Sequence, residues 1–314
     1  MMVAQWKGRT PTVIGVLLLV IVVGSIAANG IALWLGFGDP PLVVTDPDIE
    51  YYPVPNRTYR RFGNTVAINR YGMRSDDFDR IALSKADHYA LLGDSVVYGN
   101  HHIDQNATIA ARLQHALRER AQRPRVVVSS IAASSWGPRN VLEYYRRLGP
   151  FPGQVAIVVV STHDMVDVPH VDQDVIPYRL STPSSPLHDV LTSAAERVQR
   201  RFAPVRPGPS FEERRRQVDE ALDELLTVLK ADFAEVWLLF HPTRDEVTHG
   251  DASGRGHFQM RAAAIGVRFE SLTALYGKAY ARGARIHEDE IHLSAEGAAV
   301  LAAHIHATIV KPRR

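Results

Sequence analysis

The stretch His88-Tyr-Ala-Leu-Leu-Gly-Asp-Ser95-Val-Val-Tyr-Gly99 decides how this 314-residue chain folds. Ala90, Leu91 and Leu92 form a short apolar run that stops at Gly93, and the polar pair Asp94-Ser95 follows at once. About ten residues on, Ile109, Leu113, Ala116 and Leu117 recur at helical spacing. An apolar strand that ends at a glycine and turns toward a helix is where an open α/β sheet keeps its chemistry, at the carboxyl end of the strand. Ser95 stands at that edge. A serine is a weak nucleophile until a base takes its proton. Without such a base, Asp94-Ser95 reads as a helix cap.

A base stands near the other end of the chain. Asp289-Glu-Ile-His292-Leu-Ser-Ala-Glu-Gly297 places a carboxylate three residues before a histidine, ahead of a helical run from Ala298 to Ile309. In a tight turn or a first helical turn, that spacing lets Asp289 accept from one ring nitrogen while the other faces outward. The alternative is a solvated helix-cap histidine, one of 14 in the chain.

Taken together, the two stretches resemble the GDSL, or SGNH, hydrolase family over roughly residues 85–310. Gly93-Asp94-Ser95 matches the first block of that family, and Asp289-x-x-His292-Leu-Ser-x-x-Gly297 matches its last. The resemblance implies Ser95 as nucleophile, His292 as base and Asp289 as the group that orients it. It also implies an oxyanion hole built from the backbone N–H groups of Ser95 and Ser135 with the side chain of His163. Both Ser135 and His163 depart from the family pattern. Ser135, after the strand Arg125-Val-Val-Val128, stands where a glycine is usual. His163, after the strand Val155-Ala-Ile-Val-Val-Val160, stands where an asparagine is usual, and an imidazole N–H can serve the same oxyanion. Stretches similar to Asn69-x-Tyr71-Gly72-x-Arg74 precede the first block in membrane-anchored bacterial members. Read from its residues alone, Arg74 is a surface arginine.

Composition narrows the function classes. The chain is 46% hydrophobic and 22% charged, enough for one sizeable core. A net charge of +2 gives no sign of a nucleic-acid partner. There are no cysteines, which excludes disulfides, thiolate metal sites and a cysteine nucleophile. The serine acyl-transfer mechanism that the resemblance implies needs no metal or organic cofactor.

Near the amino terminus, residues 12–37 are apolar and uncharged, long enough to cross a bilayer. Lys7 and Arg9 precede the span and Asp39 follows, which predicts a cytoplasmic amino terminus and an exported remainder. The expected organisation is a cytoplasmic segment at 1–11, an anchor at 12–37, a lead-in region at 38–87, and a catalytic domain at 88–314 with an insertion at 165–210. A cleaved signal peptide ending near Ser25-Ile-Ala27 and a buried core helix are the alternatives for the span. The expected location is the inner membrane, single-pass, with the large domain in the periplasm.

From 88 onward, strand and helix patterns alternate, as parallel crossovers require. Helices are expected at 137–148, at 211–230 behind the cap Ser210, and at 256–266, with strands at 235–240 and 266–270. His241, at a strand end, reads as a packing histidine. The Pro- and Ser-rich insertion reads as irregular, a candidate lid, with Arg197, Arg200 and Arg201 on a short helix as a solvated basic face. The fold class is a three-layer α/β/α sandwich with a mostly parallel five-stranded sheet, flavodoxin-like, plus a transmembrane helix. The family resemblance points to hydrolysis of O-acyl esters, acetyl above all, on an envelope or secreted carbohydrate. The alternative is an O-acetyltransferase acting on exported polysaccharide, working with a polysaccharide-export or acyl-donor membrane partner. The departures at Ser135 and His163 admit a non-catalytic glycan-binding protein.

Overall fold

The computed structural model describes residues 10–81, 83, 87–119, 125–169, 178–202, 208–250 and 253–310. Lys7, Arg9 and most of the proline-rich stretch at 204–209 therefore lie outside the described residues. Residues with a strong local pattern open the chain as one helix, α1 (Thr10–Trp34). Its segment Val13–Trp34 is long and apolar enough to cross a membrane, with a mean hydropathy of 2.5 and 6% burial over its most apolar window. A core helix of this composition would be mostly covered, and α1 is bare.

Two short antiparallel pairs follow: β1 (Val43–Asp46) with β2 (Glu50–Pro53), and β3 (Arg57–Arg61) with β4 (Asn64–Ile68). The main domain then runs β5 (Asp87–Gly93), α2 (Ser95–Tyr98), α3 (Ile109–Glu119), β6 (Val126–Ala132), α4 (Pro138–Leu148) and β7 (Gly153–Val160). After a 3₁₀ turn at Thr162–Val166 come α5 (Pro186–Phe202), α6 (Phe211–Asp232), β8 (Phe233–Phe240), α7 (Arg244–His249) and α8 (Ser253–Ile265). β9 (Arg268–Ser271), α9 (Thr273–Tyr280) and α10 (Ala295–His304) complete it, with α10 widening into a π-helical turn at Ile305–Ile309.

The strands β5 to β9 form one parallel five-stranded sheet in the order β6-β5-β7-β8-β9. Leu91 lies opposite Ser130 on β6 and Ile157 on β7. A parallel sheet is covered on both faces, so its strands read as continuous apolar runs. Tyr89, Leu91, Val155, Ile157 and Val159 pack on one side with Leu113 and Leu117 of α3 and Leu301 of α10. Ala90, Leu92, Ala156, Val158 and Val160 pack on the other with Leu142 of α4, Leu225 of α6 and Phe258 of α8. The result is three layers. Truncating a fully buried core residue such as Leu238 to alanine would cost roughly 2–5 kcal/mol. Because β6 and β7 flank β5 on opposite sides, the chain reverses direction across the sheet there, and the crevice at the carboxyl ends of β5 and β7 is the expected ligand position.

The chain divides into two compact units. One gathers the described residues of Met1–Pro40, Arg60–Gly63 and Ser181–Arg206, and the other holds Pro41–Tyr59, Asn64–Leu180 and Pro207–Arg314. Within the 165–210 stretch, the described residues 186–202 are helical where the sequence suggests only a short helix in irregular chain. They form α5, a 17-residue helix grouped with α1.

Candidate active site

At the end of β5 the backbone passes so close to its neighbours that a side chain is excluded. A Cβ on Gly93 would lie 2.8 Å from the Val159 carbonyl oxygen and 2.9 Å from Val97 Cγ2. Asp94 then caps α2, its Oδ1 accepting from the Val96 N–H at 2.8 Å. This leaves Ser95 at the first position of α2, with 8% of its surface exposed. Burial pushes the Asp94 carboxyl up to about 6, against the pull of the Val96 N–H and of the nearby His292 and His163 rings.

The Asp289–His292 loop meets this turn from the other end of the chain. Ser95 Oγ stands 2.9 Å from His292 Nε2, and His292 Nδ1 stands 2.7 Å from Asp289 Oδ2. These partners fix the tautomer: Nδ1–H donates to the carboxylate, and Nε2 accepts from the serine hydroxyl. Asp289 also accepts the backbone N–H groups of Ile291 at 3.0 Å and His292 at 2.8 Å. Burial would raise its pKa, but these donors and the ring outweigh it and hold Asp289 at about 2. Past the histidine, Ser294 caps α10 by accepting from the Gly297 N–H at 3.0 Å. A Cβ on Gly297 would sit 2.1 Å from the Ile286 carbonyl oxygen, so the motif glycine is required by close packing.

A neutral histidine–tyrosine cradle supports the loop. His241, fully buried, donates from Nε2 to the Ile291 carbonyl at 2.8 Å and accepts from the Tyr276 hydroxyl at 3.1 Å. Burial pulls its pKa down to about 3. His287 donates to the Pro242 carbonyl at 3.1 Å and accepts from the Tyr280 hydroxyl at 2.6 Å. His241 is thus a packing group that shapes the base-bearing loop. His287, Tyr276 and Tyr280 had no signal in the sequence, since nothing in their spacing marks a shared contact.

Ser135 and His163 lie on the loops that follow β6 and β7, the two neighbours of β5. Ser135 is exposed and adopts φ +57°, the left-handed conformation that glycine enters freely and other residues enter at roughly 1–2 kcal/mol. A serine therefore holds a glycine's backbone here, and its N–H is retained. The loop is pinned on both sides: the Trp136 indole donates to the Tyr51 carbonyl at 2.8 Å, the Tyr51 hydroxyl donates to the Ser134 carbonyl, and Ser134 Oγ donates to Asn100 Oδ1 at 2.5 Å. His163 is exposed on the 3₁₀ turn that follows β7. Below it, buried Asp164 accepts from the Ser161 N–H at 2.6 Å and Ser161 Oγ at 3.1 Å.

Arg74 departs from the sequence reading. It is fully buried and not on the surface. Its guanidinium donates to the carbonyls of Tyr98 at 3.1 Å, Thr65 at 3.2 Å, Ile103 and Asn100, and to Gln105 Oε1 at 3.2 Å. Burial pulls its pKa down, but guanidinium stays charged at any ordinary pH. Arg74 does not touch Ser95. It clamps the loop that leaves α2, and through Asn100 that loop holds Ser134 beside Ser135. The Asn69 side chain folds the turn that delivers it, accepting from the N–H groups of Tyr71 at 2.9 Å and Met73 at 3.0 Å. Among the described residues, no group of three or more His, Asp or Glu side chains is placed to hold a metal ion.

No protein-family model matches the chain, and no curated protein matches it. Solved structures do resemble it in the course of the backbone. A member of the lipolytic protein G-D-S-L family from Veillonella parvula covers 72% of this chain with 100% of its own length, at 10% identity and a TM-score of 0.45. LAE5, an α/β hydrolase enzyme from the metagenome of Lake Arreo, covers 71% with 94% of its own, at 14% identity and a TM-score of 0.47. Axe2, an acetylxylan esterase from Geobacillus stearothermophilus, covers 73% with 96% of its own, at 13% identity and a TM-score of 0.46.

Proposed function

We propose that the chain is a serine esterase of GDSL type that removes O-acyl groups, acetyl above all, from an envelope or secreted carbohydrate. The observation that carries this reading is the hydrogen-bonded series Ser95 Oγ, His292 Nε2, His292 Nδ1, Asp289 Oδ2, at 2.9 and 2.7 Å. In the proposed reaction Ser95 Oγ attacks the ester carbonyl while its proton passes to His292 Nε2. Asp289 stabilises the imidazolium. The tetrahedral oxyanion is met by the N–H groups of Ser95 and Ser135 and by the His163 ring, each worth roughly 10²–10³ in rate. His292 then protonates the departing alcohol. Water, deprotonated by the same ring, attacks the acyl-serine and releases the acid and free Ser95.

The apolar, uncovered α1 supports a single-pass anchor, with the larger compact unit on the far side of the inner membrane. The test is hydrolysis of p-nitrophenyl acetate by the full chain in detergent, with fluorophosphonate labelling. We expect turnover and a single labelled serine, both lost in Ser95→Ala. Turnover unchanged in that variant would overturn the reading.

A further inference from the structure

Helix α5 carries a stripe of apolar side chains that the protein leaves uncovered. Leu191 is 60% exposed, Val198 58% and Phe202 77%, with Ala194 and Ala195 exposed between them. Positions 191, 195, 198 and 202 recur by threes and fours, so they fall on one side of the helix. Asp189 is buried on another side. Arg197 and Arg201 are also exposed, set to one flank of the stripe by the same spacing. An apolar stripe bordered by arginines on a bare helix is the pattern of a helix lying in a membrane interface.

The start of α5 is fixed to the place where the apolar helix α1 ends. Asp189, fully buried in the first turn of α5, accepts from the Gly38 N–H at 2.8 Å and pairs with the guanidinium of Arg61. The Leu187 N–H donates to Asn29 Oδ1 at 3.1 Å. Arg61 lies over the rings of Phe37 at 4.8 Å and Phe62 at 4.6 Å, and those rings meet edge-on at 5.2 Å. Along α1 from Val13 on, residues 13–27 are all exposed, and among those described residues only Ala28, Asn29 and Ala32 are shielded. α5 is therefore rooted at the carboxyl end of α1 and does not run back along it. Its 17 residues extend about 25 Å from that root.

We propose that α5 lies in the headgroup region of an anionic bilayer, with Leu191, Val198 and Phe202 dipping into the acyl boundary and Arg197 and Arg201 among the phosphates. The proposal rests on α1 being a membrane anchor.

The absence of cysteine allows single-site labelling. Cysteines placed one at a time at Val16, Val198 and Phe202 of the full chain are labelled with an environment-sensitive fluorophore. The chain is reconstituted in vesicles of phosphatidylcholine and phosphatidylglycerol, with and without a lipid-borne quencher. Two positions on α5 guard against a local disturbance by either label. We expect emission shifted to shorter wavelength and lipid-dependent quenching at all three sites, deepest at Val16. Lipid contact at Val16 with water-like emission at both 198 and 202 overturns the proposal and leaves the anchor standing. Blue-shifted emission at 198 and 202 that the lipid quencher does not touch also overturns it, since the stripe is then covered by protein, a second copy included. Water-like emission at Val16 removes the anchor reading itself.

Discussion

Replacing Arg74 tests how the turn beside the candidate nucleophile is held. Four main-chain carbonyls and the Gln105 side-chain oxygen receive its N–H groups in a fully buried setting. Arg74→Ala takes away that donor from all five. A buried acceptor left unsatisfied costs roughly 1–3 kcal/mol, and water entering the vacated space recovers part of the sum. Breaking a buried charged network by removing one member costs about 3–5 kcal/mol. We therefore expect Arg74→Ala to lose about 4 kcal/mol, a fall in melting temperature of roughly 10 °C for a domain of this size. Arg74→Lys keeps the charge but not the planar fork, so it should fall between the two. The loop it clamps leaves α2 directly, so kcat for p-nitrophenyl acetate should drop more than KM rises, from lost preorganisation of Ser95. Differential scanning fluorimetry and steady-state kinetics on the full chain provide both readings. An Arg74→Ala protein that melts within about 2 °C of the parent and turns over at the same rate would refute the clamp.

Asp289→Asn should leave the fold intact and lower kcat about 10⁴-fold, because an amide cannot hold the required tautomer or balance the imidazolium; a loss under tenfold on the same assay contradicts that role. His163→Ala should lower kcat by roughly 10²–10³ with KM little changed, while His163→Asn retains most activity. Equal rates in the alanine variant and the parent exclude His163 from the oxyanion hole. Ser135→Gly should raise the melting temperature, since relief of roughly 1–2 kcal/mol of left-handed strain exceeds the roughly 0.4–1 kcal/mol that glycine adds to unfolded-state entropy. A lower melting temperature would show that the Ser135 side chain earns more than its strain. Burial, with the charges of Asp94 and Glu50, pushes the Asp167 carboxyl up to about 7 despite Arg214. The folded state thus binds a proton more tightly than the unfolded chain, and its contribution to stability is lost as pH rises from about 4 through 7. Asp167→Asn should therefore be more stable than the parent at pH 8 and not at pH 4; an equal gain at both, in melting curves, would contradict this assignment.

The residues themselves determined the layered sheet and marked Ser95, His292 and Asp289 as candidates for the chemistry. Strands such as Val155–Val160 and Leu238–Phe240 are apolar at every position because a central parallel strand is covered on both faces, and that requirement is written residue by residue. Gly93 and Gly297 stand in their motifs because the backbone leaves no room for a side chain. A chain pattern reports burial and period along itself, not which distant segment supplies a partner. Only the tertiary structure brought Ser95 within 2.9 Å of a ring 197 residues away. It alone turned Arg74 inward, since that arginine's acceptors are backbone carbonyls with no sequence signature. It alone gave α5 its length and its uncovered apolar stripe within a stretch whose prolines and serines argued for loop. The positive φ at Ser135 belongs to the same class: the loop between β6 and α4, pinned by Tyr51 and Asn100, imposes a conformation that serine would not choose.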